Sequence, residues 1–342
     1  MRKFVLLISF FMLFFGCNKK ADMIKCNGIP DVNQAFSYMY FKTENEGYLF
    51  GTYTEYEELS EKELENPNNI PKSTDEANIY KTTDGGKNWV KINSIRDYSY
   101  YNNSFINGNA ILIKIIDSKE ILKCNLVNFD ISTNKISRLN YNFERMGEIW
   151  SNDTKTFVNS KNNGINYIYS ITPNFKKVDS TAIKEVFKDK VINFRNDFYV
   201  LTWDNHLYNI VKQQRSKLPI IPKSIVKQDE NNILIAGNIL TDENEISLVS
   251  YDVNTQQSKT IKKFKNYSII EDLQSNDKAI IGFIGNIKGV FTEYDLLYSL
   301  DKGKTWQIKK LDEPNYVRPN SLINNIVYIY SGAARMQKIV LI

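Results

Sequence analysis

The stretch Lys81-Thr82-Thr83-Asp84-Gly85-Gly86-Lys87-Asn88-Trp89-Val90 returns late in the chain as Tyr298-Ser299-Leu300-Asp301-Lys302-Gly303-Lys304-Thr305-Trp306-Gln307. Both copies read Ser/Thr-x-Asp-x-Gly-x-Asn/Thr-Trp, opened by Thr82 and Ser299. Asp84 and Asp301 are placed to accept hydrogen bonds from their own turns, Gly86 and Gly303 supply a positive φ, and Trp89 and Trp306 pack beneath the hairpin. Each copy is therefore expected to be a strand-turn-strand unit with a structural carboxylate.

Working outward, weaker hairpin turns follow the same spacing at Asp130–Ile136, Ser170–Phe175, Val211–Gln214 and Asp252–Gln256. Asp84 and Asp301 lie 217 residues apart, which is five steps of about 43 residues, the length of a four-stranded propeller blade. Composition agrees with an all-β fold. Tyr and Phe number 21 and 19, and Ile and Val crowd short runs such as Ala110–Ile116 and Ala279–Ile284, punctuated by Asn, Asp and Gly. Six blades are visible. Beyond Trp306, strands are expected at Ser321–Tyr330 and Lys338–Ile342, and a strand from Met23 to Cys26 would complete a seventh blade, closing the ring with both ends of the domain. Six larger blades would also fill this length.

The beginning of the chain reads as an export signal. Met1-Arg2-Lys3 is basic, Phe4–Phe15 is apolar and too short for a comfortable permanent span, and Gly16 precedes Cys17. The domain plan is thus signal 1–16, tether 17–22 and one β domain over 23–342. The formal net charge is +5, falling to about +3 once Arg2 and Lys3 are removed, too small for a nucleic-acid footprint. Cys26 and Cys124 fall in non-adjacent blades and are expected to be unpaired or buried.

With these residues in hand, three resemblances can be stated. Leu13-Phe14-Phe15-Gly16-Cys17 resembles the bacterial lipoprotein box, which implies acylation at Cys17, and Asn18 beside it implies the outer rather than the inner membrane. The repeated motif resembles the Asp box of bacterial neuraminidase repeats. Tyr40-Phe41-Lys42-Thr43-Glu44-Asn45-Glu46-Gly47-Tyr48-Leu49-Phe50-Gly51, followed by Ile79–Trp89, resembles the opening blade of the photosystem II stability and assembly factor family. These resemblances imply a seven-bladed propeller, Asp boxes on the face opposite the usual binding face, and a role in assembling a membrane protein complex.

Enzymatic readings find little support in the residues. Sialidases place an arginine in an Arg-Ile-Pro phrase ahead of their first Asp box, and here the phrase is Gly28-Ile29-Pro30. A single histidine, His206, excludes a His-based metal cluster and leaves any Ser-His-Asp chemistry resting on that residue alone. No phosphate-cradling glycine loop or calcium loop is present, so no cofactor and no metal is expected.

The acidic insertion Glu55–Ala77 carries eight acidic residues against two lysines and is expected to rise between the second and third strands of blade one. It reads as a solvated loop or a partner-docking arm. The same face should carry Tyr100, Arg145, Asp204, His206, Tyr316 and Arg318, residue types that anchor interfaces or stack on sugars. The expected function is a non-catalytic, lipid-anchored platform for a protein partner at the bacterial envelope, in the periplasm or at the cell surface. The alternative is a glycan-binding or sialidase-like glycoside-hydrolase propeller using that same face.

Overall fold

The computed structural model describes residues 21–342 apart from 31, 61–71, 108, 121–122, 145, 152–154, 173–177, 184–186, 189–190, 196 and 316. Among them every regular element is a strand, and the strands form seven antiparallel four-stranded sheets. Blade one is β2 (Gln34–Phe41), β3 (Gly47–Tyr56), β4 (Ser73–Thr82) and β5 (Val90–Arg96). Blades two to five, holding β6 to β21, span 98–144, 146–183, 192–217 and 220–265. Blade six is β22 (Ile269–Ser275), β23 (Ile280–Lys288), β24 (Phe291–Ser299) and β25 (Gln307–Lys310). Blade seven joins β26 (Asn320–Ile323), β27 (Ile326–Gly332) and β28 (Arg335–Val340) to β1 (Asp22–Lys25). First strands of successive blades pack on one another, and Asn320 reaches Asp272 to link blade seven to blade six. The molecule is a seven-bladed β-propeller.

The second strand of each blade explains the long apolar runs. In β19 (Asn232–Ile239), Ile233 and Ile235 enter the cluster shared with blade four, whereas Leu234 and Ala236 enter the cluster shared with blade six. A strand covered on both faces needs apolar side chains at every position, not at alternate ones. The outer strand β21 (Gln257–Lys265) is solvated and lysine-rich instead. The buried residues accordingly fall into seven clusters, one between each pair of neighbouring blades.

All six expected turns lie between the third and fourth strands of blades one to six, although 173–177 fall outside the described residues. The expected N-terminal strand pairs with β28, Met23 opposite Gln337 and Lys25 opposite Arg335. Three details differ from expectation. Ser321–Tyr330 is two strands, not one, because the chain reverses at Asn324, whose φ is 51°. The last strand begins at Arg335 rather than Lys338. The ends of the acidic stretch lengthen the β3–β4 hairpin, with Glu55 opposite Thr74 and Tyr56 opposite Ser73; its centre, 61–71, lies outside the described residues, as does Cys17. Cys26 and Cys124 are free, buried thiols in different clusters.

Candidate functional site

The two ends of the ring differ in character. One end carries the turns between first and second and between third and fourth strands, including both repeated turns. In the first, Thr82 Oγ1 donates to Asp84 Oδ1 at 2.9 Å and accepts from Gly86 N at 3.0 Å. Asp84 also accepts from Asn88 N and Nδ2 at 2.9 and 2.6 Å, and Trp89 Nε1 donates to the Gly86 carbonyl at 2.8 Å. The second repeats this wiring through Ser299, Asp301, Gly303, Thr305 and Trp306. The Thr305 backbone and side-chain donors, with Ser299, hold the Asp301 carboxyl down at about 2, and the Asn88 backbone N–H depresses Asp84. These carboxylates are committed to their own turns, which is a structural role.

The other end carries the second-to-third-strand hairpins and the blade connections. The residues expected to form a binding face are not gathered there into one site. Tyr100 is a correction: it lies on β6 (Tyr98–Asn107), is buried, and sets its ring edge-on against Phe50. Asp97, at a φ of 67°, alone turns the chain from blade one into blade two, so Tyr98–Tyr101 is strand and not a connecting loop. Arg145 and Tyr316 lie outside the described residues. Arg318 stands where the first strands of blades six and seven meet, its Nε 3.2 Å from Asp272 and its Nη2 3.6 Å from Glu271.

Asp204 and His206 occupy the turn between β15 (Asp197–Leu201) and β16 (His206–Asn209), the second and third strands of blade four, as expected. Thr202 Oγ1 donates to Asp204 Oδ1 at 2.6 Å and accepts from His206 N at 3.2 Å. This is the i, i+2, i+4 wiring of the repeated turns, used at the opposite end of the ring. Arg215 bonds the second Asp204 oxygen, and with Thr202 it pulls that carboxyl down to about 2. The turn consumes its own polar groups and leaves Trp203 outside, 65% exposed, its indole N–H on the Phe187 carbonyl.

A cavity of about 410 Å³ opens at this same end of blade six, walled by Lys265, Tyr267, Lys288, Glu293, Asp295 and Lys310 among others. Asp295 is buried, and its Oδ2 accepts from Tyr267 at 2.9 Å and from Lys310 at 2.6 Å. Desolvation and that bond push the Tyr267 phenol up to about 12. Glu293, two residues before Asp295 on β24 and so about 7 Å away along the strand, pairs with Lys288 at 2.6 Å. Each carboxylate is neutralised by its own lysine. Among the described residues no group of three His, Cys, Asp or Glu side chains is arranged to hold a metal.

Beside the cavity rises the β23–β24 hairpin, closed by Gly289 and Val290 between the paired Lys288 and Phe291. Gly289, at a φ of 63°, supplies the first position of a two-residue hairpin turn. The tip is apolar and solvated: Val290 is 91% exposed, and Ile287 and Phe291 are 63% exposed. The sequence conceals it. The Gly-Val pair between two strand-like runs was the available signal, but exposure is invisible in a run that reads as core.

No family model and no curated protein matches the sequence. Solved structures do resemble the fold. The β-propeller domain of the Trilobed protease from Pyrococcus furiosus, described as having an open velcro topology, superposes with a TM-score of 0.60 at 12% identity, covering 90% of this chain and 93% of that one. Oligogalacturonate lyase from Vibrio parahaemolyticus gives 0.58 at 10% identity over 93% and 97% of the two chains. A catalytically inactive virginiamycin B lyase from Staphylococcus aureus, with quinupristin, gives 0.58 at 10% identity over 94% and 99%. At these identities the likeness is one of fold.

Proposed function

We propose that this chain is a non-catalytic, lipid-anchored platform that docks a protein partner at a bacterial envelope, through the end of the ring bearing the second-to-third-strand hairpins. The observation that carries this reading is the set of large apolar side chains those hairpins hold in water. Tyr56, Ile165, Trp203, Leu240, Val290 and Phe291 are all exposed, from five different blades. Isolated exposed apolar residues are ordinary, but aromatic and aliphatic tips repeated at one end of a scaffold are the usual anchors of an interface. The lysine-neutralised carboxylates of the blade-six cavity weigh against hydrolytic chemistry, which needs one carboxyl free to give up or take a proton.

The anchor is Cys17, acylated after export, and Asn18 favours the outer membrane. The resemblance of blade one to the photosystem II assembly family supports an assembly role without supplying the client. The test is crosslinking in intact cells, comparing wild type with a Val290→Asp/Phe291→Asp double variant. A membrane protein complex recovered with wild type and lost with the variant, at unchanged melting temperature, is the expected result. Equal recovery of the same partner from both overturns docking through this hairpin. A second reading, a small polar ligand such as a glycan, is favoured only by the tyrosine- and lysine-lined cavity, and recovery of no partner from either sample would move it to the front.

A further inference from the structure

The tether is short enough to decide which part of the propeller faces the lipid. Ala21 already packs against the cluster between blades six and seven, which includes Ile339, Leu341 and Tyr298, and the next residue, Asp22, pairs with Lys338. Four residue steps separate it from Cys17, a reach of at most about 14 Å. Tyr298, near the repeated-turn end of β24, donates to the Ile342 carbonyl at 3.2 Å, so that end of blade six lies beside the root of the tether. The hairpin tip at Val290 stands at the far end of the same strand, whose nine residues span about 27 Å. The tether is therefore about half as long as the strand.

We propose that the lipid surface lies against the repeated-turn end of blades six and seven, and that the hairpin end is turned away from it, into the aqueous space. This rests on the reading of Cys17 as acylated. Met23, Leu300 and Ile342, 41%, 40% and 63% exposed, are exposed apolar side chains on these two blades, and the membrane interface is their occupant. The orientation completes the platform: the anchor occupies one end of the ring and leaves the apolar hairpins free for a partner.

The experiment uses the full exported chain, purified with its lipid and bound to phosphatidylethanolamine/phosphatidylglycerol vesicles that contain a headgroup-nitroxide lipid. A fluorophore is attached at Lys304→Cys or at Val290→Cys; Cys26 and Cys124 are buried and do not compete for label. Quenching should be stronger at 304 by a factor of about three or more, given the strand length that separates the two positions. Insertion of about 20 Gly/Ser residues between Lys20 and Ala21 gives a reach of roughly 25 Å and should level the two signals. Mass spectrometry of the same sample reads Cys17. An acylated, vesicle-bound chain quenched equally at both positions, or more at 290, overturns the orientation while the anchor stands. An unmodified Cys17 in a chain that does not float with vesicles overturns the anchor and the orientation together.

Discussion

Gly28→Ala should open the ring. Gly28 follows β1 at a φ of 81°, and a Cβ there would sit 2.2 Å from the Trp89 carbonyl oxygen, a backbone atom that cannot swing aside. The adjacent Asn27 is clasped to the first repeated turn: its N–H donates to the Lys87 carbonyl at 2.8 Å, and its carbonyl accepts from Trp89 N at 2.9 Å. Relieving the clash means giving up both bonds, about 1 kcal/mol each, and the left-handed φ costs an alanine about 1 kcal/mol more. The expected loss is about 3 kcal/mol. Gly289→Ala is the control, since its φ is 63° but nothing lies within 4 Å of its Cβ, leaving only the conformational cost of about 1 kcal/mol. Urea unfolding followed by tryptophan fluorescence compares them, with limited proteolysis reporting on release of the N-terminal strand. Losses that agree within about 0.5 kcal/mol would refute the idea that the ring is closed through this clasp.

Three further outcomes follow from the same geometry. Because the folded Asp301 carboxyl lies at about 2, below its ordinary 3.8, its contribution is present above pH 4 and lost as pH falls towards 2; melting temperature should therefore fall more steeply over that window in wild type than in Asp301→Asn, and parallel curves would count against the repeated turn as a charged staple. Lys310→Met strips the buried Asp295 of its cation and should cost about 2 kcal/mol, whereas Lys288→Met, which frees the half-exposed Glu293, should cost less than about 0.5 kcal/mol; equal urea midpoints would show that burial does not separate the two pairs. Cys26 and Cys124 are both buried, and desolvation also pushes the Cys26 thiol up to about 11, so an aromatic disulfide reagent at about pH 8 should find two more thiols in urea than in buffer, and full reaction of the folded chain would contradict the buried cysteines.

Much of the fold was legible because a blade repeats its turn even where it loses its residues. Asp130 and Asp252 each still accept from two backbone N–H groups of their turns, which preserved the spacing that counts the blades. The errors came where one residue does the work of a loop. Asp97 turns the chain alone between β5 and β6, so Tyr98–Tyr101 reads as a polar connection yet is strand, and Tyr100 is drawn into the core. The Asn324 turn is hidden inside a run that is apolar on both sides. The candidate site was less legible than the fold for a physical reason: Val290 and Phe291 have the same residue types as the buried runs, and only the register of β23 with β24 reveals that they lie beyond the last blade contact.

The placement of the first repeated turn follows from how the ring is closed. Blades one to six are each continuous in the chain, so a blade that frays remains covalently in place. Blade seven is assembled from 22–25 and 320–340, and only hydrogen bonds and packing hold its outer strand. The intact turns stand on the two blades that flank it. The turn of blade one presents Gly86 to the Met336 methyl, so close that a Cβ would sit 2.1 Å from it, and it clasps Asn27 on the other side. Next to the turn of blade six, Tyr298 reaches Gln307 and the Ile342 carbonyl together. The Asp-capped turns of blades two and five need only reverse the chain, whereas that of blade one must also present a rigid wall to a blade that is not covalently closed; the turn of blade six faces blade five instead, where the Lys302 carbonyl accepts from Gln228. Full wiring of the Ser/Thr, Asp, Gly and Trp groups makes such a wall, and the seam is where loss of a single turn would open the ring.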